Sequence, residues 1–180
     1  IFVANKVIKS PKDMVGMKYR IPNLPIFEKN ARAMGATPVV VAWSEYPFAL
    51  MQGVVDGGEC SKDSYRSAGL YESAKYVADV DYAYPVEQIC FSTQFWNSLS
   101  EEDQKVISDA AAQVASHHSE RTLDKWEEDK EWLINEGGVT FCDIDRQAFI
   151  DAAEPLGKEL QDEGFFTTKD LYDQTRQFNK

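Results

Sequence analysis

Arg20 lies in the run Met17-Lys18-Tyr19-Arg20-Ile21, which reads as a strand. A guanidinium is planar and carries its donors in a fixed fork, so it can grip both oxygens of a carboxylate. Standing alone, an arginine is more simply a surface salt-bridge residue. Trp43 follows the β-branched run Thr37 to Ala42 and begins a helix, at the end of a strand where open α/β sheets gather ligands. Its other reading is core packing. Glu59 and Cys60 set a carboxylate beside a thiol. A thiol needs a nearby base to act as a nucleophile, and no histidine lies in that region. The two histidines, His117 and His118, are neighbours on a helix. Side chains one residue apart point in different directions, so they make a poor metal pair and read as a solvated helix face. Cys60, Cys90 and Cys142 have no zinc spacing; buried free thiols are the simplest reading, with one disulfide left open. Asp56-Gly57-Gly58 has neither nucleotide-loop spacing. No catalytic residue, metal or cofactor is expected.

The chain has 180 residues, 43% of them hydrophobic, and a formal net charge of −11. That is enough for one domain with a sizeable core or two small lobes. The negative charge argues against nucleic acid and against adhesion to anionic lipid. A single local pocket can still oppose the global sign and take a small anion. No stretch of eighteen apolar residues is present, so no membrane insertion is expected. The opening Ile1-Phe2-Val3-Ala4 reads as a strand without an initiating Met, so the N-terminus is expected to be a truncation.

Short strands alternating with helices predict an α/β architecture. Ser10 with Pro11 starts a single turn that Gly16 ends. A helix is expected from Pro22-Asn23 to Met34, and Thr37 to Ala42 is expected as a buried strand. Another helix begins at Ser44-Glu45-Tyr46-Pro47. Val54 to Gly58 reads as a short strand running into a glycine turn, and Asp63 to Ala74 as helix. Tyr76 to Tyr84 and Val86 to Ser92 read as extended runs around Pro85. Ser100 caps the longest element, Glu101 to about Asn135, whose first-turn acids suit the helix dipole. At 1.5 Å per residue it spans roughly 50 Å, a strut long enough to join two lobes. Its expected apolar contacts are Ile107, Ala111, Val114, Leu123, Trp126 and Leu133, while the run Trp126 to Glu131 reads as a solvated face. Val139 to Asp143 returns as a strand, and helices follow at about Arg146 to Asp162 and Thr168 to Phe178.

Four segments taken in order resemble the DctP family, the solute receptors of TRAP transporters. They are Lys9 to Asn23, Met34 to Pro38, Trp43 to Glu59, and Leu99 to Gln104. Each is weak alone; their order and spacing over the chain make the likeness specific. It implies a two-lobe fold of the periplasmic binding protein type II kind. This chain would hold mostly the second lobe and a long inter-lobe helix. Residues 1–85 would carry the ligand-binding segments of that lobe. Residues 86–125 would cross to complete the first lobe and start the long helix, and 126–180 would return. The likeness covers roughly the last three-fifths of a full receptor.

The resemblance assigns Arg20 to the family's carboxylate-gripping arginine and Trp43 to the pocket lining. Asn23 matches a position that often hydrogen-bonds ligand or water. Glu59 and Cys60 fall where many members carry Glu-Asn, the Asn touching ligand. Cys60 departs from that pattern and removes an amide, which opens the ligand to differ from the acidic sugars of members with Asn. Tyr82 and Tyr84 precede the crossover and are pocket walls or ordinary strand aromatics in equal measure. The implied protein is a periplasmic, monomeric receptor and not an enzyme. It would take a small organic carboxylate, or a zwitterion stacked on Trp43, and deliver it to TRAP membrane subunits. The competing readings are a sensory module of a signalling protein and an enzyme on the same scaffold.

Overall fold

The computed structural model describes residues 1–83 and 88–178. Six strands form one sheet: β1 (Phe2–Ala4), β2 (Lys18–Ile21), β3 (Thr37–Val40), β4 (Gly57–Glu59), β5 (Tyr76–Ala78) and β6 (Thr140–Phe141). Their order across the sheet is β3-β2-β4-β1-β5-β6. β1 pairs antiparallel with both β4 and β5; the other pairings are parallel. The helices are α1 (Pro25–Ala33), α2 (Tyr46–Met51), α3 (Lys62–Ser67), α4 (Thr93–Ser98), α5 (Glu101–Asn135), α6 (Arg146–Asp162) and α7 (Leu171–Arg176).

Alternation along each strand sends neighbouring side chains to opposite faces, and each face carries its own core. In β1, Val3 joins a cluster with Tyr46, Val55, Tyr65, Val77, Trp126 and Leu133. Phe2 and Ala4 join the other, with Met14, Tyr19, Ile21, Met34 and Phe149. α6 lies against α1 on the second face, and α3 against α5 on the first.

The long helix has the expected bounds, and the Ser100 hydroxyl accepts from the Asp103 amide at 3.1 Å. Its two ends differ. Val106 and Val114 are exposed, whereas Trp126 and Leu133 are buried in the first core. Leu123 lies outside the described side chains. The acidic run is not a solvated face throughout: Asp129 is buried, bound by Arg66 from α3 and by Lys125 one turn back.

Other elements are shorter than their patterns imply. α1 starts at Pro25 instead of Pro22, because Pro25 suits the first helical position and Leu24 precedes it in extended backbone. The run Thr37 to Ala42 is not a buried strand. β3 ends at Val40 and sits at the sheet edge with β2 as its one partner, so Val40 is exposed. Asp63 to Ala74 is not one helix. Gly69 at φ +70 ends α3, and a separate turn follows at Leu70–Glu72. β5 stops at Ala78, where the Val80 amide donates back to the Ala78 carbonyl oxygen at 3.0 Å, and Asp81 beyond it adopts a left-handed φ of 49. Residues 88–92 form no strand; Tyr84 and Pro85 lie outside the described residues. α7 starts at Leu171 instead of Thr168, after Asp170 at φ 57. Gly57 and Gly58 are strand residues, not a turn. Cys60 is buried, Cys142 half-buried and Cys90 exposed; all three are free thiols, so the expectation of buried thiols fails at Cys90. Among the described residues no helix is long and apolar enough to cross a membrane.

Candidate ligand-binding site

β2, β3, β4 and β5 point the same way, so their C-terminal ends share one edge of the sheet, the edge at which β1 begins. Open α/β sheets bind ligands at such an edge, because strand ends release the chain there into loops. Arg20, the stretch Val41 to Trp43, Glu59-Cys60 and Tyr82 all belong to it.

Arg20 is 4% exposed. Its Nε donates to the Val41 carbonyl oxygen at 3.0 Å, and its Nη1 donates to Glu59 Oε1 at 3.0 Å. The guanidinium carbon stands 5.1 Å from the centre of the Tyr46 ring and 5.5 Å from that of Trp43. The two rings are themselves 5.9 Å apart. A buried guanidinium between a carboxylate and two aromatic faces is a charge with fixed direction, held in a place where Coulomb forces are less screened than in water. The side chain forms a salt bridge, but it is not a surface one. Burial pushes the Glu59 carboxyl above its usual range, and the Arg20 charge only partly offsets this.

Trp43 is 42% exposed and stands beside the guanidinium. It sits in the 3₁₀ turn Trp43–Glu45 that leads into α2. Asn23 lies exposed on the loop leaving β2. Tyr82 is half-buried, its ring 5.0 Å from Phe2 and 6.2 Å from Phe27, and burial and then Glu59 push its hydroxyl upward. Cys60 is packed in the first core, and burial pushes its thiol up to about 12. A thiol so protonated is a poor nucleophile at neutral pH. The structure thus brings Arg20, Trp43 and Glu59 into contact, places Tyr82 and Asn23 on the same edge, and turns Cys60 into the interior.

Two contributors are not legible from side-chain chemistry. The Val41 carbonyl is one, since no sequence signal marks a backbone acceptor. Tyr46 is the other: it is fully buried, and the sequence marks it only as part of the helix start Ser44-Glu45-Tyr46-Pro47.

The chain belongs to the DctP family, bacterial extracellular solute-binding protein family 7, whose match covers residues 1–163. Solute-binding protein RD1_1052 of Roseobacter denitrificans is 34% identical over 151 residues, which is 84% of this chain and 46% of that protein. Its crystal structure as a TRAP periplasmic solute-binding protein with bound L-galactonate superposes with a TM-score of 0.85 at 29% identity, covering 99% of this chain and 57% of that one. A TRAP periplasmic solute-binding protein from Ochrobacterium anthropi with bound L-fuconate gives 0.84 at 32% identity, covering 96% and 56%. The ectoine-binding periplasmic protein TeaA of Halomonas elongata is 31% identical over 117 residues, 65% of this chain and 34% of that protein. The chain therefore spans about half the length of the relatives it matches, or less.

Proposed function

We propose that these residues are the ligand-gripping lobe of a periplasmic receptor serving a TRAP transporter. Arg20 anchors the carboxylate of a small organic anion or zwitterion, Trp43 packs on the ligand body, and Glu59, Tyr82 and Asn23 complete the wall. Cys60 backs that wall from the core. The observation that carries this reading is the buried Arg20, fixed by Val41 and Glu59 beside the part-exposed Trp43. Relatives that bind L-galactonate and L-fuconate, both carboxylates, support the anion. The ectoine-binding relative supports a zwitterion, since the Arg20–Glu59 pair offers both signs of charge next to an aromatic face.

The receptor works as a monomer by binding alone: ligand favours the closed arrangement of two lobes in proportion to its preference for it, and the closed form docks on the membrane subunits. Residues 1–85 and 126–180 belong to the second lobe, and 86–125 cross to the first. In support of that division, Ile89 (54%), Phe91 (42%) and Phe95 (47%) are exposed. Ile89 and Phe91, with Trp96 and Ala111, line a groove of about 500 Å³. An apolar patch of this kind suits burial against another part of a fold.

Titration calorimetry of the complete receptor against L-galactonate, L-fuconate and ectoine tests the reading. At least one should bind, and Arg20→Ala should abolish that binding. Unchanged affinity in Arg20→Ala would remove the anchor role. Chemical turnover of a bound probe would favour an enzyme instead.

A further inference from the structure

We infer that Tyr46, seated against Gly58, positions the Arg20 guanidinium for its anion. This deepens the reading of Arg20 as the anchor and rests on it. Val41 and Glu59 fix Arg20 through Nε and Nη1, which sets the direction of the guanidinium within its own plane. Hydrogen bonds in that plane leave its tilt free, and an aromatic surface sets tilt through its negative face.

Two rings supply such a surface, and they differ in rigidity. The guanidinium carbon and the centres of Tyr46 and Trp43 form a triangle with sides of 5.1, 5.5 and 5.9 Å, so the rings make a corner around the charge. Trp43 is 42% exposed and can yield to a ligand, whereas Tyr46 is 0% exposed and cannot move without moving the core. Tyr46 is therefore the fixed wall of that corner.

The place of Tyr46 depends on a glycine. A Cβ at Gly58 would lie 2.6 Å from the Tyr46 hydroxyl oxygen, 2.9 Å from Arg20 Cβ and 2.9 Å from the Arg20 carbonyl oxygen. Gly58 lies in β4 and is not among the residues of positive φ, so what it provides is space for ring and strand to approach. The Tyr46 hydroxyl is buried without a hydrogen-bond partner among the described residues. The ring, and not the hydroxyl, is what the site uses.

The test separates ring electrons from ring bulk. In the complete receptor, Tyr46→Phe should keep L-galactonate affinity and the Arg20 Nε–H resonance of the unliganded protein. Fluorinating that phenylalanine stepwise weakens its negative face at nearly constant size. Affinity should then fall in step, by roughly three- to thirty-fold overall, with a graded shift of the Arg20 resonance. Gly58→Ala should shift the same resonance. Affinity and resonance that ignore fluorination would overturn the inference, as would a Tyr46→Phe variant that loses both. A resonance that follows fluorination in a protein that binds none of L-galactonate, L-fuconate and ectoine would uphold the positioning and sink the anchor reading instead.

Discussion

Arg66 Nη1 on α3 lies 2.7 Å from Oδ1 of Asp129 on α5, and the Arg66 guanidinium carbon stands 3.9 Å from the centre of the Trp132 ring. The same carboxylate accepts from Lys125. The long helix is thereby fastened to α3 at its C-terminal third, while Val106 and Val114 in its N-terminal half are exposed. Arg66 and Asp129 thus root the helix beside the core that holds Trp126 and Leu133.

Asp129→Asn tests that fastening. The carboxylate is only 4% exposed, whereas Arg66 and Lys125 are 33% and 48% exposed and can turn to water once it is gone. The loss is therefore that of charge-assisted hydrogen bonds and not of a fully buried pair, about 2 kcal/mol. Urea unfolding of the variant should show a lower midpoint with an unchanged slope. A midpoint equal to that of the parent would mean that Trp126 and Leu133 alone hold the helix.

The same carboxylate makes stability depend on pH. Burial opposes its ionisation, but hydrogen bonds from Lys125 and Arg66 outweigh this and hold its pKa below 3.8. Asp81 is likewise held below 3.8: burial opposes, and Arg146 and Lys62 prevail. For a carboxyl whose folded pKa is depressed, the unfolded chain takes up protons first. Its stabilisation is full above the unfolded value near 3.8 and is lost as pH falls through the lower folded value. Melting followed from pH 5 to pH 2 should show this loss, and Asp129→Asn should flatten it in part. An equal slope in parent and variant would refute the assignment.

Much of this was readable in the chain beforehand, for physical reasons. The bounds of α5 follow from Ser100, three first-turn acids and a long stretch free of Gly and Pro, all local signals. The place of Trp43 at the end of a strand follows from strand–helix alternation, whereas the place of Arg20 in the site is implied only by the family resemblance. Whether Asp129 faces water or Arg66 follows from neither, because its partner is 63 residues away. Glycines mislead in the same way. Gly57-Gly58 looks like a turn, yet a Cβ at Gly57 would sit 2.3 Å from the Val3 carbonyl oxygen and 2.5 Å from Met17 Cε. Close packing of strands and the need for positive φ write the same letter.

Those two uses of glycine can be told apart by substitution. Gly57→Ala meets backbone it cannot displace and should cost about 3 kcal/mol or more. Gly16→Ala meets nothing within 4 Å, but Gly16 has φ +73, so its cost is that of a left-handed alanine, about 1 kcal/mol. Chemical denaturation of both variants gives the order directly; equal losses would show that the strand spacing is softer than the contacts imply.

Thiol labelling reads the burial of the cysteines. Reaction needs both thiolate and access. Cys90 is exposed and Cys142 half-buried, while Cys60 is buried, with burial pushing its pKa up to about 12. At pH 8 an aromatic disulfide reagent should modify Cys90 quickly, Cys142 more slowly and Cys60 only after unfolding. Rapid labelling of Cys60 in the folded protein would place its side chain in the open site and not behind it.

Trp43 separates binding from stability most sharply. Trp43 is 42% exposed and meets the site through Arg20 and Tyr46, so Trp43→Ala removes a side chain that the fold only partly buries. Deleting a fully buried tryptophan costs about 3–5 kcal/mol; here the loss should be near half that or less, since much of the ring already meets water. A ligand packed on Trp43 would lose the whole of that contact. Affinity for L-galactonate or ectoine in the complete receptor should therefore fall by at least about tenfold, or about 1.4 kcal/mol, while the unfolding midpoint moves little. The reverse result, a large fall in midpoint with affinity kept, would make Trp43 a core residue and leave Arg20 without an aromatic partner for its ligand.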